Sequence, residues 1–128
     1  MLFLGFEVRA DQYVPDFSAM QYLKCDINDT LYNDDNSLVS KTSYSRYYRV
    51  DDANKKIYLQ KEPLEVVYFL DDNLRFKVRS MTDDYIVVSD VDINRQTGEI
   101  VLNSLITYDN LMYPQRHGIA KGNCKISN

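Results

Sequence analysis

The sequence has no tryptophan, one histidine, two cysteines, three prolines and four glycines. A single histidine excludes a zinc site built from several imidazoles. No apolar run approaches the roughly 18 residues of a membrane-spanning helix, so membrane insertion is not expected. The net charge is −4 and the lysines and arginines are scattered along the chain. This distribution argues against a surface that follows nucleic-acid phosphates.

The motifs of the common enzyme classes are missing as well. There is no P-loop and no G-x-G-x-x-G pattern for nucleotides. Serines such as Ser43, Ser45 and Ser104 lack the G-x-S-x-G context of a hydrolase. A Cys–His dyad would require a reduced cysteine beside His117, the only histidine. We therefore expect no catalytic residue, no cofactor and no metal ion.

Turn chemistry accounts for most of the acidic residues. The Asp-Asp pairs at residues 51–52, 71–72 and 83–84 each coincide with a predicted turn, where Asp bonds to its own backbone. Residues 26–36 are rich in Asp and Asn but miss the ligand spacing of a calcium loop. Residues 94–98 are predicted to form a hairpin turn in which Gly98 takes a positive φ, and Arg95 in this turn is expected to be exposed.

Short runs in which alternate residues are apolar, as in β-strands, recur about every ten residues. The apolar spacing typical of helices is almost absent. A turn or two of helix is predicted near residues 14–20, and an Asn- and Asp-rich loop over 28–37. Residues 85–89 form an apolar run typical of a central strand that is buried on both faces. Predicted strands cover residues 1–10, 20–27, 44–50, 56–60, 64–70, 74–79, 85–89 with 91–93, 99–102 with its extension 105–108, and 118–126. Together they predict a single all-β domain over residues 1–128, an antiparallel sandwich or small barrel of about eight strands.

The two cysteines, Cys25 and Cys124, lie in strand-like runs far apart in the chain. In the chain-entropy model, a disulfide closing a loop of roughly 100 residues stabilises a protein by about 4–5 kcal/mol. Two buried free thiols are the alternative, and the choice depends on the redox compartment. The first ten residues fail the pattern of a signal peptide. We expect a periplasmic or secreted protein if the chain is a mature form, and a cytoplasmic one if Met1 is the native start.

Four short patterns resemble those of small, largely uncharacterised exported bacterial β-proteins. The patterns are Tyr22-Leu23-Lys24-Cys25, Val50-Asp51 with Lys56-Ile57-Tyr58, Ile93-Asn94-Arg95-Gln96-Thr97-Gly98-Glu99-Ile100, and Gly122-Asn123-Cys124. The resemblance covers roughly residues 20–126. It implies export and a Cys25–Cys124 bridge, and it implies no particular activity.

The eleven tyrosines are the main indication of function. Tyr and Arg are enriched at protein interfaces. In the strand over 44–50, period two places Tyr47 and Arg49 opposite Tyr48 and Val50, which we expect to point inward. Tyr48, Tyr58 and Tyr68 are expected to be packing residues. The predicted binding residues are Tyr44, Arg46, Tyr47, Arg49, Tyr113, Arg116 and His117, with residues 113–117 in an exposed loop.

Two functions fit these observations. The first is a non-enzymatic protein-binding module of the inhibitor or immunity-protein kind, which acts by occluding a site on another protein. The alternative is a β-barrel carrier of a small apolar or amphipathic ligand. The absence of reactive groups favours the first function, with another protein as the partner.

Overall fold

The alternating sequence pattern produces nine strands and one short 3-10 helix in the computed structural model, which describes residues 14–127. The helix is Phe17–Ala19, and the strands are β1 Gln21–Asn33, β2 Leu38–Asp51, β3 Lys56–Leu59, β4 Glu62–Pro63, β5 Glu65–Phe69, β6 Asn73–Met81, β7 Tyr85–Asn94, β8 Glu99–Tyr108 and β9 Arg116–Ile126. The all-β prediction is confirmed. The strand predicted over residues 1–10 lies outside the described residues.

The strands form one antiparallel sheet in the order β4-β3-β2-β1-β9-β8-β7-β6-β5, curled into a nearly closed barrel. β4 and β5 belong to one extended segment, interrupted at Leu64. β4 pairs with β3, and the Leu64 amide donates a hydrogen bond to the Ile57 carbonyl at 2.9 Å. β5 pairs with β6. This segment therefore joins the two ends of the sheet.

The ring is completed over only part of its height. β3 pairs with β2 from Tyr48 to Asp51, and β5 pairs with β6 no further than Lys77. We call this part the closed half. Beyond it, residues 38–47 of β2 and 78–81 of β6 each have a strand neighbour on one side only within the described chain. We call this part the open half.

Apolar side chains fill the inside of the closed half. Tyr48 and Phe76 are both fully buried, and their rings meet edge to face with centroids 5.2 Å apart. Tyr58 is also buried, which confirms a packing role for it and for Tyr48. The large side chains with almost no exposure are Cys25, Ile27, Tyr48, Val50, Ile57, Leu74, Phe76, Val91, Ile93, Ile100 and Leu102.

A Cys25–Cys124 disulfide joins β1 to β9, where the two cysteines are direct cross-strand neighbours. The strands approach closely here, because a Cβ at Gly122 would overlap the carbonyl oxygen of Asp26. Gly98, in the β7–β8 turn, has the positive φ that the hairpin prediction requires, 83°. The disulfide thus holds the last strand against the first described one, Gly122 permits their close approach, and Gly98 brings the β7–β8 turn against Cys124.

Arg95 lies in the β7–β8 turn as predicted, but the prediction that it is exposed is wrong. Its guanidinium donates to both carboxylate oxygens of Asp52, at 2.8 and 3.1 Å, and its side chain is 15% exposed. The hydrogen bond to Asp52 is the main cause of the raised pKa of Arg95. Arg95 therefore links the β7–β8 turn to the β2–β3 turn at the end of the closed half.

Two other local predictions also differ from the structure. Residues 28–33 continue β1, and only residues 34–37 separate it from β2. Pairing with both β2 and β9 outweighs the turn preference of Asn and Asp here. Residues 85–88 are half-buried rather than buried on both faces, because they lie in the open half. By contrast, residues 99–108 form one strand, in agreement with the predicted extension of 99–102 by 105–108.

The short helix is part of the predicted helical stretch. Asp16 caps it by accepting a hydrogen bond from the Ser18 amide at 3.1 Å. The Phe17 ring then packs edge to face on Tyr58, with centroids 5.2 Å apart. The helix thus covers the outer side of the sheet near β3.

Candidate binding surfaces

The predicted binding residues are distributed over both faces of the curled sheet. The concave face carries the core. Tyr44, Arg46 and Arg116 also lie on this face, because each is an even number of positions from a core residue of its own strand. The convex face carries Tyr47, Arg49 and His117. As predicted, Tyr47 and Arg49 lie opposite Tyr48 and Val50, which are fully buried. Tyr113 is exposed in the β8–β9 connection.

The structure does not bring the two predicted parts of the surface together. Tyr47 lies opposite Lys24 of β1, whereas Arg116 lies opposite Asn33 of the same strand. At about 3.3 Å per residue, these positions are about 30 Å apart along β1. The β2 edge and the β8–β9 connection are therefore two separate candidate surfaces.

Arg49 has a structural role. Its Nε donates to the hydroxyl of Tyr22 at 2.6 Å, and its Nη1 donates to the carbonyl of Gln60. The guanidinium also lies 4.9 Å from the ring centroids of both Phe17 and Tyr22. These contacts attach the short helix and the β3–β4 turn to β2.

His117 lies in β9, so the prediction of an exposed loop position is wrong. Its ring is half-buried and stacks on Tyr32 with centroids 5.3 Å apart. Leu105 and Leu38 are the next residues along this cross-strand row, and they are 46% and 56% exposed. His117 thus belongs to a partly apolar row on the convex face.

A pocket of about 520 Å³ lies at the end of the open half, between Arg116, Tyr108, Tyr113 and Asn33. Arg116 donates from Nε to Asn33 Oδ1 at 3.2 Å and from Nη1 to the Tyr108 hydroxyl at 3.3 Å. The Tyr108 and Tyr113 rings meet edge to face at 5.9 Å. Sequence analysis missed Asn33 and Tyr108, although period two in β8 places Tyr108 on the face of Ile100 and Leu102.

A polar cluster occupies the concave face where the closed half meets the open half. Arg46 Nη1 donates to the hydroxyl of Tyr48 at 3.4 Å, and its guanidinium lies 5.1 Å from the centroid of the Tyr44 ring. Burial raises the pKa values of Tyr48, Tyr44 and Asp29, and in each case Arg46 opposes the shift. Sequence analysis missed Asp29 because it predicted a loop there.

One end of the free edge of β2 (residues 38–47) lines a groove of about 820 Å³, to which residues 45–47, residues 59–62, Tyr22 and Arg49 contribute. Arg46 and Leu59 line it from the concave face, and Ser45 and Tyr47 from the convex face. The groove therefore opens at the strand edge itself. It lies where β3 turns away from β2, in the place that a further strand would occupy.

Two contacts show which backbone groups of β2 point to this edge. The Cα atoms of Cys25 and Cys124 are 3.9 Å apart, a short distance typical of a non-hydrogen-bonded pair. The backbone N–H and C=O of Cys25 therefore point away from β9 and towards Arg46 of β2. The backbone groups of Arg46 in turn point towards β1. The Leu64–Ile57 hydrogen bond indicates the same alternation from the β3 side. The backbone N–H and C=O groups of Lys41, Ser43, Ser45 and Tyr47 consequently point away from β1.

Residues 14–127 contain no group of three or more His, Cys, Asp or Glu side chains placed to hold a metal ion. No helix in that range is long and apolar enough to cross a membrane. The hydroxyls of Ser89 and Ser104 hydrogen-bond to each other at 2.7 Å across β7 and β8. Neither serine is directly opposite a histidine.

Comparison of the sequence with protein-family models and with curated proteins, and of the structure with solved structures, finds no significant match. The geometry of the chain itself is therefore the basis for the functional proposal.

Proposed function

We propose that this protein is a non-enzymatic protein-binding module that accepts an extended segment of its partner along the free edge of β2. The observation that carries the proposal is the one-sided pairing of residues 38–47 within the described chain. An edge with unpaired N–H and C=O groups is a template for one more strand. Strand addition of this kind is a general mode of peptide recognition.

The side chains along the edge support this mode of binding. Leu38 and Tyr47 are about half exposed, at 56% and 48%, and Val39 is 37% exposed. Backbone hydrogen bonds would supply affinity to any extended segment, and these side chains would supply contact area and specificity. Tyrosine is well suited to the second task because it combines a large apolar ring with a hydroxyl.

The mode of action in this proposal is occlusion, as in an inhibitor or immunity protein. β1 supports the whole free edge from the other side, and the disulfide anchors β1 to β9. The edge is thus ordered before binding, which lowers the entropic cost of association. A partner segment held there would be withdrawn from its own function.

We also place this function in an oxidising compartment, in the periplasm or outside the cell. The Cys25–Cys124 disulfide supports this location, because such bonds persist in oxidising environments and are rare in the cytosol.

A carrier of a small amphipathic ligand is the second candidate. The pocket of about 520 Å³ beside Arg116 favours it, since small-molecule sites have volumes of about 300–1,000 Å³. Tyr48 and Phe76 fill the closed half, so such a ligand would bind at the end of the open half. A carrier purified from its native source would release a small molecule on denaturation, which mass spectrometry would detect.

Ser43 offers a matched pair of variants for testing the edge. Ser43→Pro removes an N–H that points to the free edge, and proline is tolerated at such positions. Ser43→Ala retains the N–H but loses the hydroxyl bond to Asn28 Oδ1, of 2.7 Å, which proline also loses. The wild-type protein and the Ala variant should capture the same partner from extracts of the native cells, and the Pro variant should lose it.

Melting curves of both variants serve as the folding control, and we expect similar midpoints. Equal capture by the Pro and Ala variants would refute recognition at the β2 edge. A failure of the wild-type protein to retain any protein would refute the binding function itself.

A further inference from the structure

The free edge of β2 carries charge of one sign, although the whole chain has a net charge of −4. Residues 38–47 include Lys41 and Arg46 and contain no Asp or Glu. Arg49 and Lys61 add cations to the groove at the end of the edge, and Glu62 is the only acidic residue among the described residues that line it. The edge is therefore a basic strip on an acidic protein.

Most N–H donors of the Arg46 guanidinium have no hydrogen-bond acceptor within the described chain. It is half-buried, and its one side-chain hydrogen bond, to the neutral Tyr48 hydroxyl, is long at 3.4 Å. A guanidinium has five N–H donors in a planar fork that matches a carboxylate. Tyr44 supports the guanidinium from the side, at 5.1 Å from its ring centroid. The fork is thus held in place, with most of its donors available to a ligand.

Asp29, the nearest acidic neighbour on the concave face, does not occupy this fork. Its carboxylate is directed towards β9, since a Cβ at Gly118 would lie 3.3 Å from Asp29 Oδ1. No ion pair between Asp29 and Arg46 forms within 4 Å in the described structure, although Arg46 acts on the Asp29 carboxyl electrostatically. The side chain of Asp29 therefore leaves the edge side of Arg46 open.

From this charge pattern we infer that the partner segment is acidic, with one carboxylate that meets Arg46 and a second that meets Lys41. The inference rests on the proposed recognition at the β2 edge. Lys41 and Arg46 are five positions apart, so they lie on opposite faces of the strand. The two carboxylates of an added strand would likewise be five positions apart, one on each face.

Two synthetic peptides test the inference. Both are ten-residue, threonine-rich peptides that differ at positions 3 and 8, which are Glu in one peptide and Gln in the other. Binding is followed by nuclear magnetic resonance, through the amides of Ser43, Ser45 and Tyr47. At an ionic strength of about 0.01 M we expect the Glu peptide to bind about tenfold more tightly, and about 0.15 M salt to reduce the difference.

Matched variants assign the preference to single residues. Arg46→Gln should lower the affinity for the Glu peptide about threefold and leave the rest of the preference, because the second carboxylate still meets Lys41. Arg75→Gln is the control, because Arg75 is an exposed arginine of β6 away from the β2 edge, and the net charge changes equally. If Arg46→Gln does not fold, Lys41→Gln takes its place, with an expected loss of about threefold for an exposed pair.

The outcomes separate the two proposals. Equal binding of both peptides at the edge amides would overturn the acidic partner and leave recognition at the edge standing. Binding of neither peptide would overturn both proposals. If the edge amides become protected as the concentration of the protein alone is raised, a second copy of this chain is the occupant, and the acidic partner is again overturned.

Discussion

The closed and open halves share six strands, β1, β2 and β6–β9, but have different interiors. β8 illustrates this, because Ile100 in the closed half is fully buried and Ile106 in the open half is half-buried. The closed half contains the edge-to-face pair of Tyr48 and Phe76. The concave face of the open half carries Asp29 and other polar groups.

The two halves of the sheet have different roles, stabilisation in the closed half and binding in the open half under the proposed function. β1, β7, β8 and β9 run through both halves without interruption. The apolar core of the closed half supplies the stabilisation, since burial of apolar surface is the main favourable term in folding. The open half is ordered because the same strands continue into it. It therefore does not need a filled apolar core, and its edge and pockets remain available for binding.

The largest expected effect concerns the two isoleucines of β8. Ile100→Ala should lower the free energy of unfolding by about 2–5 kcal/mol, because it leaves a cavity in a filled core. Ile106→Ala should cost about 1 kcal/mol, because less apolar surface is buried there. Denaturant unfolding monitored by circular dichroism measures both values. Equal losses would show that the open half contributes to the core as much as the closed half does.

A second prediction sharpens the boundary between the halves. Hydrogen exchange along β2 should alternate, because the amides of Thr42, Tyr44 and Arg46 point to β1 and those of Ser43 and Ser45 point to the free edge. We expect protection to differ by on the order of a hundredfold between the two sets. Residues 48–51, paired on both sides, should be protected without alternation. Uniform protection of residues 38–47 would show that the edge is already paired.

The smallest expected effect concerns Asp29 at the junction of the halves. Burial raises its pKa above the ordinary value of 3.8, so the folded state penalises the ionised carboxylate. At low pH the carboxyl is protonated in both the folded and the unfolded state, and the penalty is absent. As the pH rises above 3.8 the carboxyl ionises first in the unfolded state, and the folded state loses stability. Asp29→Asn should therefore gain stability relative to the wild-type protein between about pH 3 and about pH 7.

Denaturation at both pH values measures this difference. Asp83→Asn, in an exposed turn, is the control for loss of a charge. If the wild-type protein instead gains stability relative to Asp29→Asn as the pH rises, the attraction of Arg46 outweighs the effect of burial.

Local patterns were enough to predict much of the closed half. The Asp-Asp turns, the positive φ of Gly98 and the inward orientation of Tyr48 and Val50 all follow from turn chemistry or period two. The same rules failed for residues 28–33, where local preference favours a turn but strands on both sides impose extended backbone. That failure also concealed Asp29, and with it the polar cluster around Arg46.

The sequence by itself thus determined the all-β class, most of the turns and the inward or outward orientation of most strand residues, because these depend on neighbours along the chain. Tertiary structure alone decided where the ring closes, since closure depends on the segment from β4 to β5 that pairs with β3 on one side and β6 on the other. It also decided which edge stays free and that Arg95 meets Asp52. These features join residues distant in sequence, and no local periodicity encodes the register between them.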